Sequence, residues 1–310
     1  MQPSPNVTVR VNLARIRQNL QAIKLDTGAA VLAVVKADAY GLGAMKVAEA
    51  IGDLADGFCV FRLQEAIDAQ LWQRTKKRVI ALGPPEPALD PEAYIENGVT
   101  PAVTTPEQAR ALRAAHPAIC IDTGMQRFAC PPAAAQFVVR AGDIHEAFTH
   151  GTRIEHVERL KDAIRWSNFT LHAAASALLH EPAAYLDAVR PGAALYQGAV
   201  HVSTPLVEAH IGTGPAGYSG FVSAKHGVIL CGYSNGLRKG VCWINGRTQK
   251  ILEVGMQSAF IELSPYDRVG DEVVLLGESN PETIIAEHWR SSSQEVVVAL
   301  ASSGTRVYVD

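Results

Sequence analysis

Residues 30–44 read AVLAVVKADAYGLGA: six apolar residues lead directly into Lys36, and Tyr40 follows four positions later. An uninterrupted apolar run of this kind is typical of a strand buried on both faces, as the strands of parallel sheets are. A charged side chain at the end of such a strand is costly unless it has a partner or a function. Lys36 is therefore the first candidate for a functional residue.

Strand-like and helix-like segments alternate around this stretch, from residue 29 to about residue 198. Eight segments read as strands: AAVLAVVKA, GFCVF, KRVIALG, GVTPAV, AICIDTG, IHEAFTHG, FTLHAAAS and AVRPGAALY. Three intervening segments read as helices: FRLQEAIDAQLWQR, TPEQARALRAAH and RIEHVERLKDAIRW. In the second of these, Thr105 has the position of an N-cap before Pro106. Eight strands with intervening helices favour a closed (β/α)8 barrel of the TIM type over an open sheet.

The pattern changes near residue 200, where short β-like runs are separated by Gly, Asn, Asp and Pro turns. These runs are GFVSAKHGVILCGY, GVCWINGRTQKILEVG, SAFIEL, DEVVLLG and EVVVAL. In this part of the sequence only PETIIAEHW reads as a helix. We therefore predict an α/β protein with two domains, a barrel over residues 11–210 and a mainly β domain over residues 211–310. The strand-like start of the chain, in residues 1–10, precedes the helical LARIRQNLQAIK and is expected to join the β domain.

The composition argues against several kinds of partner. Lys and Arg total 28 against 31 Asp and Glu, so the net charge is −3, and neither nucleic acid nor an anionic membrane surface is expected as a partner. The start of the sequence lacks a secretory signal, and no apolar run approaches the ~20 residues of a membrane helix. The five cysteines form no CxxC pair, which indicates buried reduced thiols rather than a metal site or disulfides and favours a cytoplasmic location.

Charged and polar residues gather at the carboxyl ends of the predicted barrel strands, where barrel enzymes place their active sites. They are Lys36 and Tyr40 after the first strand, Asp122, Thr123 and Arg127 after the fifth, His150 at the sixth, His172 and Ser176 on the seventh, and Arg190 and Gly192 near the eighth. Ordinary strand ends carry mainly Asp, Asn, Gly and Ser turn formers. A lysine, two arginines and two histidines at these positions therefore indicate an active site.

These residues lie in motifs that resemble those of the alanine racemase family. AVVKADAYGLGA resembles the family's cofactor-lysine motif, and IDTGMQRFA, FTHG, LHAAASA, AVRPGAALYQG, PAGYSGF, CGYSNGL and EVGMQSAF follow in the family's order. The resemblance covers nearly the whole chain. It implies a homodimeric enzyme that uses pyridoxal 5′-phosphate (PLP), acts on a small amino acid and consists of a barrel followed by a β domain.

The resemblance also implies the catalytic pair. Lys36 would bind PLP covalently through its amine and, once the substrate has displaced it, act as a base on one face of the substrate Cα. Tyr218, from the β domain of a second subunit, would act on the opposite face. The family pattern places His150 in contact with this tyrosine and Arg190 behind it, so that a neighbouring cation favours the ionised phenol.

The remaining site residues follow in the same way. Arg190 would face the pyridine nitrogen of PLP, and because a guanidinium only donates hydrogen bonds, that nitrogen would stay unprotonated and the ring would withdraw electrons weakly. The phosphate would be held by Tyr40, Ser176, Gly192 and Ala193. Arg127 and the main-chain N–H of Met256 would hold the substrate carboxylate. No metal is expected.

Five positions depart from the family pattern. Cys120 stands where many members have a lysine, Ala175 replaces an asparagine, Gln257 an aspartate, Ser302 a tyrosine and Leu237 an aromatic residue. Three activities therefore stay open: racemisation of alanine or another small amino acid such as serine by Lys36 and Tyr218, PLP binding with little or no turnover, and decarboxylation. Arg190 argues against the decarboxylase, in which an acidic residue faces the ring nitrogen, and Tyr218 argues against a single-barrel PLP carrier.

Overall fold

The computed structural model describes residues 3–310, which fall into two units. The barrel unit contains residues 16–39 and 43–196, and the β unit contains the residues up to 15 together with residues 40–42 and 197–310. The described chain begins with strand β1 (Ser4–Asn12) of the β unit, and helix α1 (Leu13–Thr27) follows. Among residues 3–310 no helix has both the length and the apolar character needed to cross a bilayer.

The barrel unit is built on a closed ring of eight parallel strands. They are β2 (Ala30–Val34), β3 (Gly57–Val60), β4 (Val79–Ala81), β5 (Val99–Val103), β6 (Ala118–Cys120), β7 (Glu146–Gly151), β8 (Thr170–Ala174) and β9 (Ala188–Val189). The ring closes where Ala30 lies opposite Ala188 and Val31 lies opposite Val189. The predicted (β/α)8 barrel is confirmed.

The helices that follow α1, up to residue 196, are short. They are α2 (Lys36–Gly41), α3 (Ala44–Ile51), α4 (Leu63–Asp68), α5 (Leu71–Thr75), α6 (Pro91–Glu96), α7 (Pro106–Ala111), α8 (Ala135–Gly142), α9 (Ile154–Ile164) and α10 (Ala193–Tyr196). The predicted cap of α7 is confirmed, because the Thr105 side chain accepts a hydrogen bond from the Gln108 N–H at 3.3 Å. The segment FRLQEAIDAQLWQR forms two helices, α4 and α5, because Gln70 between them adopts a left-handed conformation with φ +50°.

The β unit contains an eight-stranded sheet. Besides β1 its strands are β10 (Val200–Ile211), β11 (Lys225–Ile229), β12 (Val241–Ile244), β13 (Arg247–Val254), β14 (Ala259–Glu262), β15 (Glu272–Leu276) and β16 (Gly304–Val309), in the order β11-β14-β13-β12-β15-β10-β1-β16. Two helices, α11 (Glu282–Trp289) and α12 (Ser293–Ala301), belong to the same unit. All pairs are antiparallel except that of β1 with β16.

The two units divide after residue 196, whereas the predicted boundary was at residue 210. The difference arises because strand β10 belongs to the β unit. This strand is continuous over twelve residues and pairs with β1, with Val11 opposite Val200, as well as with β15 and β11. All three partners are strands of the β unit, so a boundary at residue 210 would cut through one hydrogen-bonded strand. The sequence missed this because the apolar start of β10 follows directly on the barrel pattern.

One predicted strand is wrong, because EVVVAL (residues 295–300) forms most of helix α12. The Ser292 side chain caps the helix by accepting a hydrogen bond from the Glu295 N–H at 3.2 Å. Val296, Ala299 and Leu300 then lie buried on one side. The run of valines suggested a strand, but the Ser-x-x-Glu signature of a helix start outweighs the weak β preference of valine. The helix predicted for PETIIAEHW is present as α11.

Candidate active site

Lys36 lies directly after β2, at the carboxyl end of the barrel strands, and is half-buried. Burial of the ammonium group lowers the pKa of Lys36, and the positive charges of Arg127 and Arg190 lower it further, while Glu65 opposes them. A larger fraction of this amine is therefore neutral near pH 7 than in an exposed lysine, and a neutral amine is the nucleophilic form.

The four residues that follow Lys36 form a left-handed helical turn. Ala37, Asp38, Ala39 and Tyr40 have φ angles of +53°, +55°, +54° and +59°, and the Ala39 N–H donates to the Val35 carbonyl at 2.8 Å. Left-handed conformation costs a non-glycine residue roughly 1–2 kcal/mol, so four in a row persist only where the surroundings enforce them. Strain of this kind is concentrated at functional sites, so the turn keeps Lys36 a candidate functional residue.

Glu65 helps to hold this turn in place. One of its carboxylate oxygens accepts a hydrogen bond from the Ala37 N–H at 3.1 Å, and the other accepts one from the Phe61 N–H at 2.6 Å. The carboxylate thus joins the residue after Lys36 to the end of β3. The side chain of Asp38 adds a second fixation, because it accepts a hydrogen bond from the Ala44 N–H at 2.7 Å.

His150 and Arg190 contribute to the same electrostatic environment as Lys36. Burial, with Arg190, Lys36 and Arg127 nearby, lowers the pKa of His150 to about 4, so its imidazole is neutral at neutral pH. The permanent positive charges at this end of the barrel are therefore those of the arginines. His150 can donate or accept a hydrogen bond there.

Arg190 is buried, with 4% of its surface exposed. Its Nη2 group donates to the carbonyls of Thr149 and Ala173, and its guanidinium carbon lies 5.0 Å from the centre of the Phe148 ring. Its Nε is also buried but has no acceptor within the described part of the chain. An unpaired buried donor is costly, so this N–H is suited to an acceptor on a bound molecule.

A stack of side chains inside the barrel supports Arg190. The Phe148 ring, which the guanidinium faces, is stacked on His172 with ring centres 5.1 Å apart. His172 lies 3.1 Å from a Glu146 oxygen through its Nε2, and both oxygens of Glu146 accept hydrogen bonds from Arg78. His172 therefore lies beneath the site as part of its support, in contrast to the strand-end position suggested by the sequence.

Ser176 joins the ends of β8 and β9. Its Oγ accepts hydrogen bonds from the Gly192 N–H at 3.0 Å and the Ala194 N–H at 3.2 Å. Because the oxygen accepts twice, its own O–H proton remains available to an external acceptor. Gly192 and Ala193 lie directly before and at the start of α10, next to this hydroxyl.

Arg127 lies in an exposed loop after β6. The Asp122 carboxylate fixes the start of this loop by accepting hydrogen bonds from the N–H groups of Gly124 at 2.9 Å and Gln126 at 3.0 Å. The Phe128 ring contacts Phe61, with ring centres 5.9 Å apart. The guanidinium is thus held near enough to Lys36 to lower the pKa of its amine.

Tyr218 and Met256 belong to the β unit. Tyr218 lies at the tip of a hairpin between Ala216 and Phe221, and 97% of its surface is exposed. Met256 also has an exposed side chain, while its carbonyl accepts hydrogen bonds from Ser234. Both residues therefore present groups to the surface of their unit.

Comparison with known proteins identifies the family. Residues 11–200 match the alanine racemase N-terminal domain, and residues 208–308 match the alanine racemase C-terminal domain. The chain is 30% identical to the alanine racemase of Pectobacterium carotovorum subsp. carotovorum, with 98% of each chain covered. The chain belongs to the alanine racemase family.

Other alanine racemases are similar to this chain over nearly its whole length. The biosynthetic enzyme of Escherichia coli is 29% identical, with 98% of this chain and 99% of that protein covered. Among solved structures, the biosynthetic alanine racemase of Pseudomonas aeruginosa has a TM-score of 0.86 at 24% identity, with both chains fully covered. The alanine racemase of Bartonella henselae, solved with covalently bound pyridoxal phosphate, has a TM-score of 0.88 at 20% identity, covering 99% of this chain and 100% of that one. Members of the alanine racemase family are PLP-dependent isomerases.

Cys120 and Ser302 are two of the departures from the alanine racemase pattern, and both make defined contacts. Cys120 is buried beside Phe148, and burial raises its pKa to about 12, so the thiol supplies no negative charge near Arg127 or Arg190. Ser302 donates its hydroxyl to the Val298 carbonyl at 3.0 Å. The Ser302 hydroxyl also lies close to Gly41, which has φ +84°: a Cβ at Gly41 would lie only 3.0 Å from the Ser302 oxygen.

Sequence reasoning missed four supporting residues: Glu65, Glu146 and Arg78 lie outside the motifs, and Phe148 lies within FTHG but was not singled out. Glu65 occupies the third position of α4 and has the form of an ordinary capping residue. Its contact with Ala37 spans 28 positions, which no local pattern reveals. Phe148 lies in β7 two positions before His150, where it has the form of ordinary barrel core.

Proposed function

We propose that this protein is a PLP-dependent racemase of alanine or another small amino acid such as serine. The observation that carries the proposal is the half-buried Lys36 amine at a barrel strand end, with its pKa lowered by burial and by Arg127 and Arg190. This environment favours a lysine that binds a carbonyl compound and exchanges protons.

The residues present fit PLP. When bound, PLP withdraws electrons from the substrate Cα and thereby makes its proton removable. Lys36 would hold the cofactor through its amine, and the unpaired Arg190 Nε would donate to the ring nitrogen. The Ser176 hydroxyl proton, with Tyr40 and the main chain of Gly192 and Ala193, would bind the phosphate.

The proposed proton exchange uses two bases on opposite faces of the substrate. The neutral Lys36 amine accepts or returns the Cα proton on one face, and Tyr218 does so on the other. Arg127 and the Met256 main-chain N–H orient the substrate carboxylate. Neutral His150 provides a hydrogen bond near Tyr218, while Arg190 provides the positive charge that favours the ionised phenol.

We propose a homodimer in which a second copy of the chain supplies Tyr218. The 97% exposed side chain supports this, because an aromatic residue so exposed contributes little to the packing of its own unit. We also propose a cytoplasmic location, in keeping with five cysteines that are all buried free thiols.

The test is incubation of the PLP-loaded protein with L-alanine, D-alanine and both serine enantiomers in deuterated water, followed by chiral analysis and mass spectrometry. We expect inversion together with deuterium at Cα, and loss of inversion in Lys36→Ala, whose visible absorbance from amine-bound PLP should also disappear. Arg113→Met, which removes a surface arginine paired with Asp143, serves as the control.

Other outcomes would contradict the proposal in different ways. Loss of the carboxyl carbon would indicate a decarboxylase. Bound PLP without deuterium incorporation into any of the four substrates would indicate a racemase homologue without turnover. Inversion that persists in Lys36→Ala would exclude Lys36 as one of the two bases.

A further inference from the structure

The Tyr218 hairpin has a short, glycine-bounded tip. Ala216 and Phe221 pair at its base, with the Ala216 N–H donating to the Phe221 carbonyl at 2.8 Å. Gly217 and Gly220 flank the tip, and both have φ +67°, which glycine adopts without steric cost. The tip by itself has no element that would keep the Tyr218 side chain pointing in one direction.

Glu253, on strand β13, binds this tip through both carboxylate oxygens. Oε1 accepts a hydrogen bond from the Tyr218 N–H at 2.9 Å, and Oε2 accepts one from the Ser219 N–H at 2.6 Å. Only 7% of the Glu253 surface is exposed. Hydrogen bonds from the Ser219 side chain and from these two amides lower the pKa of Glu253, so the carboxylate is ionised at neutral pH. Bonds to an ionised acceptor are roughly twice as strong as neutral ones.

The carboxylate lies so close to the hairpin that a side chain at Gly217 would displace it. A Cβ at Gly217 would lie 2.8 Å from the Glu253 Oε1 and 2.8 Å from the Phe221 ring. Glycine at this position therefore lets the carboxylate approach the hairpin, and it also suits the φ of +67°.

The base of the hairpin is fixed on the same face of the sheet. The Phe221 ring lies 5.2 Å from Phe260 and 5.3 Å from His226, measured between ring centres. Phe260 is the cross-strand partner of Glu253. One patch of the sheet thus holds both the base and the tip of the hairpin.

We propose that Glu253 is a positioning residue for Tyr218: its carboxylate fixes the main chain at Tyr218 and Ser219, and so sets the direction of the exposed phenol before a second subunit docks. The inference rests on the proposed function of Tyr218 as the second base. Glu253 itself does not touch the substrate or the cofactor.

The first test measures the hydrogen-bond contact directly, without cofactor or substrate. In Glu253→Gln the side chain retains one acceptor and turns an NH2 group toward a main-chain N–H. We expect amide hydrogen exchange at Tyr218 and Ser219 to accelerate about tenfold or more, with the β13 and β14 amides unchanged. Asp271→Asn is the matched control, because Asp271 accepts a main-chain hydrogen bond from Arg268 at 2.8 Å in another turn of the β unit. Unchanged exchange at Tyr218 and Ser219 would overturn the proposal.

The second test separates positioning from general damage. Tyr218→Phe identifies the enantiomer whose Cα–H exchange depends on Tyr218. In Glu253→Gln we expect exchange of that enantiomer to fall about tenfold, while exchange of the other, which depends on Lys36, falls by less than about twofold. Equal loss for both enantiomers would contradict a positioning role. If the unmodified protein exchanges neither enantiomer, the proposed function fails, while the amide exchange measurement still decides whether Glu253 holds the hairpin.

Discussion

At the level of single residues, the candidate site contains ionisable side chains whose pKa values are set by burial and by the charges of their neighbours. Arg127 and Arg190 lower the pKa of Lys36, and the Glu65 carboxylate raises it. His150 nearby is neutral at neutral pH. The buried thiol of Cys120 does not offset the positive charge of the arginines. Such a site favours anions, which suits the proposed binding of a phosphate and a carboxylate.

Removal of the Arg127 charge should therefore change the titration of Lys36. In Arg127→Met we expect the pKa of Lys36 to rise, because one of the two arginines that lower it is lost. Capture of PLP by the cofactor-free protein, followed through its visible absorbance, should then need a higher pH to reach half its maximal rate. Arg113→Met should leave the profile unchanged, and an unshifted profile in Arg127→Met would show that Arg127 does not lower the pKa of Lys36.

A second residue-scale prediction concerns stability in acid. Burial lowers the pKa of His172 to about 4 in the folded chain, whereas an unfolded histidine titrates near 6.5. As the pH falls from about 6.5 to about 4, only the unfolded chain gains this proton, so the free energy of unfolding should drop by about 2–3 kcal/mol. Urea unfolding between pH 7 and pH 4 measures the slope. His172→Asn should flatten it, and the exposed His180→Asn should not; equal slopes in all three proteins would contradict the assignment.

The sequence indicated candidate site residues at the strand ends more readily than the residues that support them. Lys36 and Arg190 were predicted because charged residues at the ends of apolar strands are exceptional and lie in specific motifs. Glu253 was not, because its contact with Tyr218 spans 35 positions and a glutamate in a half-exposed strand has no unusual pattern. Long-range hydrogen bonds of this kind depend on register and sheet order, which periodicity does not specify.

At the level of elements, the left-handed turn after Lys36 is the most unusual feature. Ala37 is exposed, and its φ of +53° is unfavourable for any residue with a Cβ. We expect Ala37→Gly to raise the free energy of unfolding by about 0.5–1 kcal/mol, because relief of the strain exceeds the entropy cost of glycine. Urea denaturation of the cofactor-free protein measures the change.

The same substitution elsewhere provides the control. Ala22 is an exposed alanine within helix α1, where glycine should lower the free energy of unfolding by about 1 kcal/mol. Opposite signs for Ala37→Gly and Ala22→Gly are therefore expected. Destabilisation by both substitutions would show that the turn at Ala37 is not strained.

Elements were predictable where apolar periodicity and turn residues agreed. The eight barrel strands and the Thr105 cap follow from such agreement. Helix α12 was mistaken for a strand because its apolar run hides the helical period, and only the Ser292 cap indicates the helix. Strand β10 was missed because its start continues the apolar character of the barrel.

At the level of the whole molecule, the proposed dimer predicts complementation. If Tyr218 acts at the barrel of the other subunit, a mixed dimer of Lys36→Ala and Tyr218→Phe chains contains one intact site of two. Half of randomly exchanged dimers are mixed, so an equal mixture should regain about one quarter of the unmodified activity. The measurement is racemisation after joint refolding of the two inactive variants. Absence of any recovery would indicate that both residues act within one chain.

The pairing of β1 with β10 has a consequence for how the chain folds. Val11 lies opposite Val200, so the barrel is topologically the loop of a hairpin whose two arms are sheet neighbours. Closing so long a loop as unstructured chain would cost about 4–5 kcal/mol of entropy. Within the barrel unit, however, the Asn19 side chain donates to the Leu195 carbonyl at 2.9 Å, so a barrel that assembles first delivers its two ends side by side. We therefore expect the barrel unit to fold before the sheet of the β unit, although β1 of that sheet is synthesised before the barrel strands.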